Sequence, residues 1–207
     1  MRYVEKYGVT LNFFHNLVAI DGEAKKATFR VAKPDAEPAE VTVDFDMIHV
    51  VPPQVAPDFI RVSPLADAAG WVDVDPATLR HKTHQNIWSL GDVMNAPNAK
   101  TAAAARKQAP VVAENIVADI EGRSPAAAYD GYGSCPLTVE RGKIVLAEFG
   151  YGGVLKPSFP KWLIDGTRPS RLAWLLKERI LPPVYWQAML KGREWLARPE
   201  AVTAAAG

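Results

Sequence analysis

Alternation between apolar and polar side chains organises the first quarter of the chain. Residues 1–8 read as the end of a helix closed at Gly8. Val9, Leu11 and Phe13 then alternate with polar neighbours, the period-two pattern of a strand over 9–13. Asp21-Gly22 is a hairpin signal, and 26–31 reads as the returning strand with Ala27, Phe29 and Val31 on one face. Residues 33–40 carry prolines and acidic residues and read as loop. Alternation resumes over 41–46 and runs into Met47-Ile48-His49-Val50-Val51, apolar enough for an inner strand that holds His49 as a satisfied core residue. Pro52-Pro53 stops it. A β-meander that feeds a buried strand, with nothing before it to pair that strand, reads as a domain entered midway.

The period changes further on. Residues 62–80 form a polar connection, and 86–90 a short strand that ends in Gly91-Asp92. The polar loop 95–98 leads to an alanine-rich helix over 101–121, with a kink expected at Pro110 and Gly122 as its C′ residue. Residues 129–133 read as turn, Cys135-Pro136 as its exit and 143–149 as a strand. Residues 150–169 form a loop rich in Gly and Pro. Two amphipathic helices, 170–181 and 184–196, are expected on either side of Pro182-Pro183, and 201–207 as a frayed tail. This mixture of elements implies an α/β fold class.

Composition narrows the function. Of 207 residues 48% are apolar and 23% charged, which is globular, and a net charge of +1 gives no footing for nucleic acid. A single cysteine excludes an internal disulfide and a four-cysteine metal site. The histidines His15, His49, His81 and His84 form no H-x-x-x-H or H-E-x-x-H, so no metal is expected; His81 and His84 read as surface loop residues. There is no Walker loop, no G-x-G-x-x-G and no G-x-S-x-G. No signal peptide is visible at the start, and no apolar run is long enough to span a bilayer.

Three constellations carry chemistry. A strand ending in Gly91-Asp92 before a helix lets a ligand approach the backbone at the glycine, lets the aspartate accept from sugar-like hydroxyls, and turns free N–H groups near Thr101 and Ala102 toward an electron-rich ring. An ordinary turn with a capping aspartate has the same signature. Cys135 follows the Gly-rich run 129–134, a setting for a reactive thiol, although free cysteine also packs as a small hydrophobe. In the tail, Leu172, Leu175 and Leu176 lie opposite Arg171, Lys177 and Arg179. Four of the 6 tryptophans fall between Trp162 and Trp195, which suits a membrane interface as well as an amphipathic pair over a core.

The motifs together resemble the sulfide:quinone oxidoreductases, in the branch that includes the mitochondrial enzyme. The resemblance rests on Tyr129-Asp130-Gly131-Tyr132-Gly133-Ser134-Cys135-Pro136-Leu137, Val145-Leu146-Ala147-Glu148-Phe149, the runs 45–53 and 63–75, and the stretch from Pro182 to Gly192. It covers about residues 3–196. It implies the C-terminal half of a two-dinucleotide-binding-domain flavoprotein. Residues 1–75 would be a remnant of the second, NAD-like domain, 76–122 a returning FAD-domain segment, and 123–207 a region with the redox cysteine and membrane-facing helices. It implies FAD as cofactor, with Gly91, Asp92, Lys100, Thr101 and Ala102 near the flavin, and Cys135 as one of two cysteines that handle sulfur. Quinone would be the electron acceptor. The partners implied are the missing N-terminal half, sulfide and quinone, a membrane surface and a second copy in a homo-oligomer, with peripheral attachment to a bacterial inner membrane. A soluble flavocytochrome-type sulfide dehydrogenase subunit, or a membrane-binding or assembly module without catalysis, are the alternatives.

Overall fold

A computed structural model describes residues 1–193 and 197–201. The chain divides into two compact units, Met1–Gln54 and Val55–Gly207.

In the first unit a short helix, α1 (Arg2–Lys6), ends as the sequence implies. Gly8 takes φ +61°, and the N–H groups of Gly8 and Val9 return to the carbonyls of Glu5 and Val4. Strands β1 (His15–Asp21), β2 (Lys26–Val31) and β3 (Ala39–Asp44) form an antiparallel sheet in the order β1-β2-β3. The hairpin at Asp21-Gly22 is present, and Asp21 Oδ1 accepts from the Ala24 N–H at 2.8 Å. The register puts Phe29 opposite Leu17 and Val41, and Ala27 opposite Ile20 and Val43, so the alternation read from the sequence builds one apolar face.

Two strand expectations fail here. Residues 9–13 are irregular because Phe14, at φ +63°, turns the chain before pairing begins at His15. Residues 47–51 form no strand, and Met47 and Val51 stay more than four-fifths exposed. Among the described residues no strand pairs with this run, and an apolar run becomes an inner strand only between neighbours. His49 is therefore exposed, not a core residue.

The second unit opens with a short helix, α2 (Asp58–Arg61), and is organised around α3 (Ala102–Ile120). Thr101 caps α3 by accepting the Ala104 N–H at 3.2 Å, and Gly122, at φ +70°, closes it with N–H bonds from Gly122 and Arg123 to the carbonyls of Asp119 and Ala118. Pro110 lies inside the helix, which continues through it. The buried stripe of α3 carries Val111 and Val112 into a core of Val72, Val74, Leu79, Met94 and Tyr129. Residues 86–90 contribute only an isolated bridge, Trp88 to Arg80, instead of a strand.

Strand β4 (Ala127–Ala128) pairs with β7 (Glu200–Ala201), and β5 (Gly133–Glu140) pairs with β6 (Lys143–Phe149). Cys135 therefore lies within a strand, opposite Ala147, and not at the exit of a turn. The inner face of β6 packs Ile144 and Leu146 on Ile164 and Ala173, a second core.

The tail corrects one expectation. Helix α4 (Arg171–Leu175) passes through a π-helical turn, Leu176–Ile180, directly into α5 (Leu181–Gln187), so Pro182-Pro183 lies in the first turn of α5 and not between two helices. Prolines donate no N–H, and the wider turn before them accommodates the missing bonds. A short 3-10 turn, Met189–Lys191, ends at Gly192 with φ +71°. Residues 194–196 of the expected second helix, and 202–207 of the expected tail, lie outside the described residues. Among the described residues the paired strands are antiparallel, with one isolated parallel bridge between Val72 and Met94, and helix and strand are mixed.

Candidate functional site

The Gly91-Asp92 turn is held from below. Gly91 adopts φ +76°, and its N–H donates to Oε1 of Gln108, a fully buried side chain of α3, at 2.7 Å. A Cβ added at Gly91 would meet nothing within 4 Å, so the open side of the turn is free for a ligand to approach. The Asp92 side chain is exposed.

Lys100 is half-buried and turned inward. Its ammonium donates to the Met94 carbonyl at 2.6 Å and lies 4.0 Å from the centre of the Trp71 ring. Burial pulls its proton affinity below the usual lysine range, against the pull of Asp92 and Asp67. Its charge therefore sits behind the turn, and its contacts fold the 94–100 loop. Thr101 spends its hydroxyl on the cap, while Ala102 is exposed at the start of the helix.

Cys135 is exposed, with Leu137 on the same side of β5, while Ser134 and Pro136 are half-buried. Lys177 reaches across from the helical tail and donates to the Pro136 carbonyl at 3.2 Å and to Thr138 Oγ1 at 3.1 Å.

A hydrogen-bonded chain links the two constellations. Asn98 Nδ2 donates to the Tyr129 hydroxyl at 2.8 Å, and that hydroxyl donates to the Tyr132 carbonyl at 2.6 Å, three residues before Cys135. Below it, Asn115 of α3 is fully buried. Its Nδ2 donates to the carbonyls of Thr78 and Ala127, and its Oδ1 accepts the N–H groups of Ala126 and Ala127. The helix that starts beside the Gly-Asp turn is thus stapled to the segment that delivers the thiol.

The turn itself is tightly made. Gly131 has φ +79° with the Tyr151 ring packed against it, and Asp130 pairs with Lys156. Burial would raise the Asp130 carboxyl, but the Lys156 bond and charge and the Tyr132 N–H hold it below the usual range. Burial pushes the Tyr129 and Tyr132 phenols up to about 12, helped at Tyr132 by the Glu148 carboxylate. Asn98, Gln108, Asn115 and Glu148 were not singled out from the sequence. For Gln108 and Asn115 the only available signal was a polar residue at a helical spacing, which looks the same as a solvated one, and Asn98 in a loop and Glu148 on β6 carried no signal of their own.

His81 departs from expectation. It is buried, donating from Nε2 to the Leu65 carbonyl at 3.1 Å while Nδ1 accepts from the N–H groups of Thr83 and His84. His84 does share its loop, with ring centres 4.9 Å apart. Among the described residues no group of three His, Cys, Asp or Glu side chains converges as a metal site, and no helix is long and apolar enough to cross a membrane.

The exposed, strand-borne cysteine and the Gly-Asp turn at a helix N-terminus, two of the features on which the sequence resemblance rests, therefore belong to one hydrogen-bonded framework. Comparison with known proteins agrees with the resemblance. The chain is 43% identical over 198 residues to the mitochondrial sulfide:quinone oxidoreductase of Dictyostelium discoideum, a match covering 95% of this chain and 42% of that protein. It is 36% identical to the mouse enzyme over 190 residues, with 91% and 41% covered. The Schizosaccharomyces pombe enzyme is 35% identical over 189 residues, with 90% and 40% covered. The likeness to sulfide:quinone oxidoreductases is therefore borne out over nearly the whole chain, which spans about two-fifths of the length of these relatives. No family model matches. Among solved structures, a chain in the cryo-EM structure of the Tetrahymena thermophila mitochondrial ATP synthase is similar with a TM-score of 0.69 and 26% identity, covering 88% of this chain and 43% of that one.

Proposed function

We propose that this chain is the C-terminal portion of an FAD-dependent enzyme that oxidises sulfide to sulfane sulfur and passes the electrons to a quinone. The observation that carries the reading is the 43% identity to the Dictyostelium enzyme across 198 residues, in a chain whose one cysteine is exposed on a strand.

The residues around the Gly-Asp turn fit a flavin. Exposed Asp92 would accept hydroxyls of its ribitol, the open side of Gly91 would admit it, and the free N–H groups at Ala102 would face the ring edge that gains charge on reduction. When bound, FAD would accept the electron pair. Lys100 and Gln108 hold the loop and turn that present these groups.

Cys135 would share a sulfur bridge with a cysteine outside this chain. Hydrosulfide attacks one sulfur of the bridge, a new S–S bond forms as a persulfide, and the other cysteine leaves as a thiolate with the electron pair. Exposure of Cys135 suits such an in-line attack. Trp162, Leu172, Leu175, Tyr185, Trp186 and Leu190 are exposed near Arg171, Arg179 and Lys191, a surface suited to peripheral attachment at a membrane interface.

The test supplies the rest of the enzyme. Co-expression with the part of the Dictyostelium protein that this chain does not match should give a yellow complex whose flavin bleaches on sulfide and reoxidises with quinone. The chain alone should do neither, and Cys135→Ser in the complex should abolish bleaching. Full activity in the Cys135→Ser complex would overturn the catalytic reading. The likeness to a chain in an ATP synthase structure favours a second reading, an assembly module without catalysis. That reading predicts an unaltered complex of normal size in the same variant.

A further inference from the structure

On the inner face of β6, turned away from Cys135, lies a cavity of about 160 Å³. Leu146, Leu155, Phe159 and Ile164 wall it, and Glu148, 6% exposed, is the buried polar side chain of the lining, with Lys161, Asp165 and Thr167 less buried. Glu148 Oε1 accepts the Tyr132 hydroxyl at 2.6 Å and the Ser158 hydroxyl at 2.5 Å, and Oε2 accepts the Ser158 N–H at 3.0 Å. Each group bonded to this carboxylate can donate. A carboxylate offers about four acceptor positions, so one remains to be filled. The charges of Lys161 and Asp165, both in the lining, offset each other and leave Glu148 as the buried group that a guest meets.

We propose that this cavity is a binding site for a phenol-type ligand, one neutral six-membered ring whose hydroxyl donates to Glu148. The volume fits a single ring, since an apolar cavity of about 150 Å³ takes up benzene. The apolar walls bind the ring. The carboxylate reads its hydroxyl through a charge-assisted bond about twice as strong as a neutral one. A carbonyl in the same place would set acceptor against acceptor, so the site tells a hydroxylated ring from its oxidised form. The quinol made by quinone reduction has this chemistry. That link rests on the proposed function, whereas the site itself does not.

The experiment is a ligand titration of the full chain by amide NMR, with phenol, toluene and hydroquinone under anaerobic reducing conditions. Phenol should shift the amides of Leu146, Glu148 and Gly166 saturably, and toluene should bind on the order of tenfold more weakly. Glu148→Gln should erase that preference. Leu155→Trp, which fills the cavity from a position 64% exposed, should abolish binding of both and keeps the test valid should Glu148→Gln fail to fold. Equal affinity for phenol and toluene, no saturable binding, or full binding to Leu155→Trp would overturn the proposal. Hydroquinone binding at least as tightly as phenol supports the quinol as ligand. Phenol binding with hydroquinone excluded upholds the site and severs it from the reaction, leaving the reading of Cys135 untouched.

Discussion

Replacing Asn115 by leucine tests whether the staple between α3 and the cysteine-bearing segment is a principal source of stability. Leucine keeps the branched heavy-atom skeleton of asparagine and removes its polar atoms; its bulkier methyl groups add an overpacking cost of about 1 kcal/mol to the loss of the hydrogen bonds. Four bonds disappear, to Thr78 and Ala127 carbonyls and from the Ala126 and Ala127 N–H groups, at distances of 2.9 to 3.1 Å around a side chain with no exposure. The two N–H groups carry most of the cost, because a buried donor without a partner loses roughly 1–3 kcal/mol. The expected loss is about 3–5 kcal/mol, a large share of the ~5–15 kcal/mol that holds a domain together. At about 2–4 °C per kcal/mol for a unit of this size, the Tm should fall by about 10 °C. Calorimetry of the full chain measures it, with Val117→Leu, at a position 49% exposed on the same helix, as the control that should not move. A fall of less than about 3 °C with unchanged circular dichroism would refute the reasoning. It would mean that water or a shifted backbone satisfies those groups as well as Asn115 does.

Gly131→Ala should cost at least about 2 kcal/mol, because its φ of +79° strains any L side chain and the new Cβ would lie 2.6 Å from the Tyr151 backbone N, which cannot rotate away. Gly122→Ala, at φ +70° with nothing within 4 Å, should cost only about 1 kcal/mol, and equal losses in a pair of urea titrations would show that the close approach is irrelevant. Alkali should unfold the second unit through its tyrosines. Tyr129 and Tyr132 ionise at about 12 when folded against 10.0 for the free phenol, so the folded state resists deprotonation. The stabilisation is complete below pH 10 and is lost as pH rises toward about 12. Melting temperatures should fall across that window together with tyrosinate absorbance. Titration of both phenols near pH 10 in a chain that keeps its native circular dichroism would count against their burial.

Much of the local structure was legible because it depends on neighbours in sequence. The caps of α1 and α3 at Gly8 and Gly122 follow from the left-handed conformation that glycine alone adopts freely. The strands 26–31 and 143–149 follow from alternation, and the length of α3 from an alanine-rich run between Thr101 and Gly122. The family likeness was legible for a different reason: the run from Tyr129 to Leu137 is specific enough to stand without geometry. What the sequence left undecided depends on groups that meet from far along the chain. Residues 47–51 are apolar enough for an inner strand, but a strand needs neighbours, and the described chain supplies none to this run. Cys135 became a strand residue because 143–149 folds back on it in register, and the outward side of that strand decides that its thiol is exposed. Only the tertiary structure joins Asn98 to Tyr129 and Tyr132, sets Asn115 beneath them and turns Lys100 toward Trp71. A hydrogen bond between residues tens of positions apart leaves no periodic trace in a sequence, and the closing of those bonds is what brings the Gly-Asp turn and the cysteine arm into one framework.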